Sequence, residues 1–311
     1  MHPQNTHTRL PRRAAPAVAL TLVGFARSHG GLLAACAFAA LAVAAHAGSA
    51  KAASAPGLGT TSTFGVVSST FTNANTGSQT IVNGDVCFTT GPTTPPMTIT
   101  GTTTTPCSPA TGNDQGLALA ALNSEPCISL GAGAITLNSV VVGGNLPGVI
   151  NPGCYSSGGA MNLTASTTLT LNGPGVYIFR PGGALNTGDN SMVILTNGAC
   201  ASDVYWTPIG AATLGANAAP SVAPTFSGNI LADAGITIGH FATLTGRALA
   251  FGGTVTTDAN TISVPNCAPF VVVNGNGPTG VPALAGWAMA MLAALLAAAG
   301  LVATRRRRQR L

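Results

Sequence analysis

The chain has 311 residues, a formal net charge of +5, only 6% charged residues, 5% aromatics and 40 glycines. The excess positive charge sits at the two ends: Arg9, Arg12, Arg13 and Arg27 lead the chain, and Arg305, Arg306, Arg307, Arg308 and Arg310 close it. Between them three basic residues, Lys51, Arg180 and Arg247, stand against seven acidic ones (Asp85, Asp114, Glu125, Asp189, Asp203, Asp233 and Asp258), a net of −4, which excludes a basic footprint for nucleic acid.

In chain order, residues 1–30 form a basic leader, Gly31 to Ala45 an apolar run, and Ala45-His46-Ala47 a small-residue cleavage site, so residues 1–47 read as a signal peptide of an exported chain. The rival lipoprotein box Leu33-Ala34-Ala35-Cys36 is disfavoured, because Arg27, Ser28 and His29 interrupt the apolar stretch before it. Loss of the leader removes Cys36 and leaves six cysteines: Cys87, Cys107, Cys127, Cys154, Cys200 and Cys267. An even number in an exported chain points to disulfides of unassigned pairing. No C-x-x-C occurs and His240 is the one histidine left, so neither a metal nor another cofactor is expected.

The body, residues 48–267, is rich in Gly, Thr, Ala, Asn and Val and reads as all-β. Residues 87–131 interrupt it with a Thr/Pro-rich run and one short helix, Asp114 to Leu122, and read as a cysteine-stapled insertion. After it, short alternating runs recur: Thr168 to Leu171, Met192 to Leu195, Ala212 to Leu214, Ile236 to Ile238 and Thr254 to Thr256. Their intervals, about 19 to 23 residues, fit one solenoid coil per repeat, and each run ends at Gly, Asn or Asp as tight corners require. A second series, Val176 to Phe179, Val204 to Trp206, Phe226 to Leu231 and Arg247 to Ala250, fills the other faces. A coil buries its apolar side only by stacking on its neighbours.

Asn274 to Gly280 contains G-x-G-x-x-G, but with an internal proline and no strand-to-helix setting; residues 268–280 read as a linker. Leu284 to Ala303 is uncharged and long enough to cross a bilayer, with arginines behind it, which predicts that the body lies outside the cytoplasm. The order Val281 to Trp287, apolar run, arginines resembles the C-terminal sorting tails of the IPTL and PEP type of Gram-negative bacteria. That resemblance implies an envelope or extracellular location, a membrane contact through residues 281–311 and processing by a sorting enzyme. Ala283 and Ala285 depart from its usual threonine and serine.

Several stretches taken together resemble the ice-binding-protein-like family of secreted β-helices: Phe64 to Val67, Ile81 to Val86, Gly175 to Phe179, Asn197 to Cys200 with Val204 to Trp206, Phe226 to Ala232, Ile236 to Ile238, Gly246 to Ala250 and Asn260 to Ile262. The resemblance covers about residues 57–267. It implies a discontinuous right-handed β-helix of triangular section, with a long helix along one side where this sequence shows only a short one.

Family members studied as ice binders use one flat face, some with a T-A/G-x-T/N motif. Thr164-Ala165-Ser166-Thr167 and Thr187-Gly188-Asp189-Asn190 fit it, and Leu214 to Asn217 and Thr257 to Asn260 fit in part. The resemblance thus marks Thr164, Ala165, Thr167, Thr187, Gly188, Asn190, Asn217, Thr257 and Asn260 as ice-contact candidates. Gly-Asp-Asn is also ordinary corner chemistry, and Thr is common in any strand. Two further functions stay open. An adhesion or matrix protein would use the same scaffold without ice affinity. A polysaccharide-cleaving enzyme needs paired carboxylates, and no two of Asp85, Asp189, Asp203, Asp233 and Asp258 are close in sequence.

Overall fold

The computed structural model describes residues 52–92, 97–221 and 225–267; the expected signal peptide, linker and sorting tail lie outside the described residues. In runs such as Ile236-Thr237-Ile238 the isoleucines are buried and the threonine is exposed, as a period of two on a one-sided core dictates. Parallel pairing of such runs coil upon coil gives a β-helix of triangular section.

Three faces result. The helix face stacks Ile128–Gly131, Gly153–Ser157, Tyr177–Pro181, Val204–Trp206, Phe226–Leu231, the first half of Thr243–Thr257, then Phe64–Asn73, Asp85–Thr90 and Thr103–Thr104. The free face stacks Ile135–Thr136, Met161–Leu163, Leu185–Thr187, Ala212–Leu214, Ile236–Ile238 and the second halves of Thr243–Thr257 and Phe64–Asn73. The loop face carries Val149–Ile150, Thr168–Asn172, Met192–Thr196, the starts of Phe226–Leu231 and Thr243–Thr257, then Thr261–Ser263, Ile81–Asn83 and Thr98–Ile99.

Two expectations are corrected by this stacking. The runs read from sequence as one series occupy two faces: Thr168 to Leu171 and Met192 to Leu195 lie on the loop face, the later three on the free face. Coil length is also more variable than the sequence intervals indicate. Stacked partners are 24 residues apart at Asn162 and Asn186 but 18 apart at Thr225 and Thr243.

Stacking order is not chain order. Phe64–Asn73 lies between the late strand Thr243–Thr257 and the early strand Asp85–Thr90, so the two ends of the domain complete each other's coils. The connection that makes this possible is the helix α1, Pro109–Ser124. It leaves the early coils after Thr103–Thr104 and delivers the chain to Ile128–Gly131 at the opposite end of the stack, from which the coils wind back. The segment 87–131 is therefore not a separate insertion: its strands belong to the solenoid, and its helix is 16 residues long, more than the short helix expected.

Helix α1 contains poor helix formers, Thr111, Gly112, Asn113 and Gly116, and is held by its surroundings. Ser108 caps its start, accepting a hydrogen bond from Ala110 N (3.3 Å), with Pro109 at the first position. Thr111, Gln115, Ala118 and Leu122 form the buried stripe. Beneath it lie the outward side chains of the helix face, among them Val67, Leu249, Leu231, Tyr205 and Ile178. Disulfides staple both approaches, Cys87–Cys107 before the helix and Cys127–Cys154 after it; Cys200–Cys267 is the third pair.

Inside the prism, Tyr155, Phe179, Trp206 and Phe226 stack from coil to coil, the Phe179 and Trp206 centroids 4.1 Å apart. Where the early and late strands meet, buried Arg247 donates to Asn229 Oδ1 (2.7 Å) and, through Nε and Nη2, to Ser62 O. Burial depresses its guanidinium below the ordinary value. Asn260, also buried, bonds Gly239 O and Ala242 O and accepts from Asp258 N.

Candidate functional site

Because side chains alternate on every strand, the outward residues of each face form columns across the stack. On the free face the central column reads Thr136, Asn162, Asn186, Thr213, Thr237, Thr256, Thr72. Adjacent rungs are ~4.8 Å apart, the strand spacing of any parallel sheet. Asn186 Nδ2 donates to Asn162 Oδ1 (3.0 Å), and Thr72 Oγ1 to Thr256 Oγ1 (2.9 Å), so rungs are also linked side chain to side chain.

Two residues earlier on the same rungs stand Ala134, Ala160, Ala184, Ala211, Gly235, Thr254 and Thr70, a second column of small side chains. No charged residue occurs in either column. On three middle rungs the far edge is glycine, Gly188, Gly215 and Gly239, for steric reasons: a Cβ on Gly215 would lie 2.4 Å from the Gly188 carbonyl carbon, and one on Gly239 2.6 Å from that of Gly215. The result is a sheet surface whose two columns carry no charge and repeat methyls, hydroxyls and amides from rung to rung, with the part-exposed Asp258–His240 pair at its edge.

The other faces differ. The helix face is covered by α1. The loop face has Thr168, Thr243, Thr261 and Thr98 in its outward column, but Thr225 and Thr243 are buried, Thr243 Oγ1 donates to Ser221 O (3.2 Å), and Met192 is 39% exposed on the same column.

The sequence candidates lie at the corner between the free and loop faces. Thr187 pairs with Leu163, so Thr164 stacks on Gly188 and the two motif matches are one residue out of register. The polar groups of Thr187-Gly188-Asp189-Asn190 serve the next coil: Thr187 Oγ1, Asp189 Oδ1 and Asn190 Oδ1 each accept a backbone N–H, from Gly215, Ala216 and Ala218, at 2.9 Å. Asn190 turns the corner with φ +56°, as do Ser166, Phe241, Ala259 and Asn75 at the same place in their coils. Asn217 donates to Phe241 O (3.1 Å).

Thr164 and Ala165 are exposed beside the free face, and Thr167 Oγ1 is bound to Thr164 O. Thr257 and Asn260 are buried and bond other coils, so they present nothing to a ligand. The central threonine and asparagine column escapes a motif search because Asn162, Asn186 and Thr213 share no consecutive motif. Its signal is an outward polar residue that directly follows an inward apolar one on each rung, Ile135, Met161, Leu185, Ala212, Ile236, Val255 and Phe71.

The carboxylates are dispersed and engaged. Thr102 N and Oγ1 donate to Asp85 Oδ1, and Thr60 N and Oγ1 to Asp114 Oδ2, which holds both carboxyls below the usual range; the backbone donor is the larger cause in each case. Asp233 bonds Gln115 and Gly252 N, and Asp258 bonds Thr76 N and His240 Nδ1. Tyr205, under α1, has its hydroxyl pushed up to about 12, chiefly by burial.

Comparison with known proteins supplies a family. The model of the family described as Ice-binding-like matches residues 59–263. An ice-binding protein of Nostoc sp. (strain HG1) is 34% identical over 221 residues, 69% of this chain and 76% of the relative. One from Flavobacterium frigoris (strain PS1) is 32% identical over 138 residues, 44% of each chain. Ice-binding protein 1 of Shewanella frigidimarina is 36% identical over 129 residues, of which this chain spans 13% of the relative's length. Among solved structures, an ice-binding protein from an Antarctic biological consortium superposes with a TM-score of 0.57 at 26% identity, over 68% of this chain and 92% of that one. One from the Antarctic ascomycete Antarctomyces psychrotrophicus does so with 0.52 at 28% identity, over 69% and 100%.

Proposed function

The chain belongs to the ice-binding-like family, and from that premise we propose that it is an exported protein that adsorbs to ice through its free face without chemical turnover. The observation that carries the proposal is the uncovered, uncharged pair of columns along that face. Ice is a periodic lattice of neutral water with no pocket to fill. A rigid surface repeating methyls and hydroxyls holds waters at fixed places, so that their ordering cost is met before contact. A lysine or glutamate there would hold water in a competing geometry. The edge residues Thr164, Ala165 and Gly188 belong to the same patch, while Thr187, Asn190 and Asn217 fix its corner.

The location proposed is the outside of the cell, supported by the leader at 1–47 and the three disulfides. Among the described residues no helix is long and apolar enough to cross a membrane. Attachment through residues 281–311 is part of the proposal and rests on the uncharged run Leu284 to Ala303 followed by arginines. Thermal hysteresis and inhibition of ice recrystallisation by the oxidised protein test the function: activity in both is expected, and inactivity in both would leave adhesion on the same scaffold as the better reading.

A further inference from the structure

The strand Tyr177–Pro181 alternates inward Tyr177 and Phe179 with outward Ile178 and Arg180, so Arg180 stands on the helix face, stacked on Ser156 and through it on Ser129. From there its Nη1 donates to Glu125 O (2.8 Å), at the end of α1, and lies 3.2 Å from Cys127 Sγ. Among the described residues this guanidinium forms no ion pair, so no carboxylate offsets its charge beside the sulfur. The contacts of the other disulfides are neutral: Cys107 Sγ lies 3.7 Å from Ser68 O, and Cys200 Sγ and Cys267 Sγ lie 2.9 and 3.7 Å from Ser202 Oγ. Cys127 is half-buried and Cys154 is buried, so an incoming thiol meets the pair at Cys127. The chain between these two cysteines is the terminal coil, Ile128–Gly131, Ile135–Thr136 and Val149–Ile150, whose strands pair on one side only among the described residues.

We propose that Cys127–Cys154 is a thiol–disulfide exchange site whose co-reactant is a dithiol and whose electrostatic aid is Arg180, so that exchange there opens and closes the latch on α1 and the terminal coil. One thiolate of the dithiol attacks Cys127 Sγ; the Cys127–Cys154 bond breaks, and Cys154 leaves with the electron pair and takes a proton from water. The second thiol of the reagent, after losing its proton, then attacks the reagent's own sulfur in the mixed disulfide and expels Cys127 as a thiolate. The dithiol ends as a disulfide and the protein as two thiols, and the reverse sequence closes the bond. In both steps negative charge is spread over the sulfurs, and in the second it collects on Cys127. A cation beside a cysteine favours its thiolate, and a better-stabilised thiolate leaves faster. Arg180 therefore speeds exchange at this pair and at no other in the described structure.

The test treats the full oxidised chain with dithiothreitol, traps the opened thiols by alkylation at timed intervals and locates them by peptide mass. Opening of Cys200–Cys267 in the same sample is the reference, since Cys267 is exposed but its pair meets no cation. Relative to that reference, Arg180→Gln is expected to slow opening of Cys127–Cys154 severalfold, and Arg180→Lys to restore most of the rate. Added salt should slow the wild-type reaction at this pair and leave the Gln variant unaffected, because only a charge is screened. If Arg180 served only to hold the end of α1, its loss would loosen the helix and speed the opening. Equal or faster opening in Arg180→Gln, or a salt response that survives in it, would overturn the proposal.

Discussion

The helix face and the free face are made from the same coils and the same parallel ladders, yet one is interior and the other is surface. Their difference lies in one outward residue per coil: Val67, Leu249, Leu231, Tyr205 and Ile178 on the first, Thr72, Thr256, Thr237, Thr213 and Asn186 on the second. The scaffold sets the position and repeat of these side chains. Their chemistry then decides whether a face recruits a helix or remains open to water, so fold and function occupy separate columns of one ladder.

That separation is broken most severely from within, where both faces share one core. Trp206→Ala removes the centre of the aromatic stack and is expected to cost about 3–5 kcal/mol, read as a lowered denaturant midpoint, with hysteresis lost only as the folded fraction falls. On the helix face alone, Leu231→Ala should cost about 2–4 kcal/mol in the same measurement and leave the activity of the folded protein unchanged. Removing a helix staple by the pair Cys127→Ser and Cys154→Ser should cost about 2–4 kcal/mol, with α1 loosened and its amide protection lowered first.

The smallest effect concerns acid. Asp85 and Asp114 have folded-state carboxyls below the ordinary value of 3.8, so the stability they contribute is complete above that value and is lost as pH falls through their lower folded values. Asp85→Asn with Asp114→Asn should therefore flatten the decline of melting temperature below pH 3.8 and leave hysteresis at neutral pH unaltered. An unchanged acid limb would show that these exposed hydrogen bonds are too well screened to matter.

Much of this architecture is legible in the sequence because alternation survives in short runs: Ile236-Thr237-Ile238 announces one buried and one exposed side without help. Corner residues are legible in part: Asn75 and Asn190 are residue types that tolerate positive φ, whereas Ser166, Phe241 and Ala259 at the same place in their coils are not. The face each run occupies is not. Thr168-Leu169-Thr170 on the loop face and Thr254-Val255-Thr256 on the free face have the same pattern, and coil length varies too much for counting to separate them.

Helix α1 is under-read because Thr111, Gly112 and Gly116 weaken its local signal, while the contacts that hold it come from distant residues: Thr60 to Asp114, Asp233 to Gln115, and Phe251, whose N–H donates to Gln115. Thr257 and Asn260 look like surface polar residues and are buried because the N-terminal strand docks over their coil. Which cysteines pair follows only from the tertiary course: Cys87–Cys107 and Cys127–Cys154 flank α1, and Cys200–Cys267 joins the 192–206 coil to the segment after Thr261–Ser263.

The central claim is that the free face, by its outward chemistry, adsorbs to ice. Its most direct test is thermal hysteresis of the oxidised protein against the variant Thr213→Lys with Thr237→Lys, two exposed positions whose change leaves the interior intact. The account predicts that the variant melts within about 0.5 kcal/mol of wild type and loses most of the hysteresis. A variant equally stable and equally active would place the contact with ice elsewhere on the molecule.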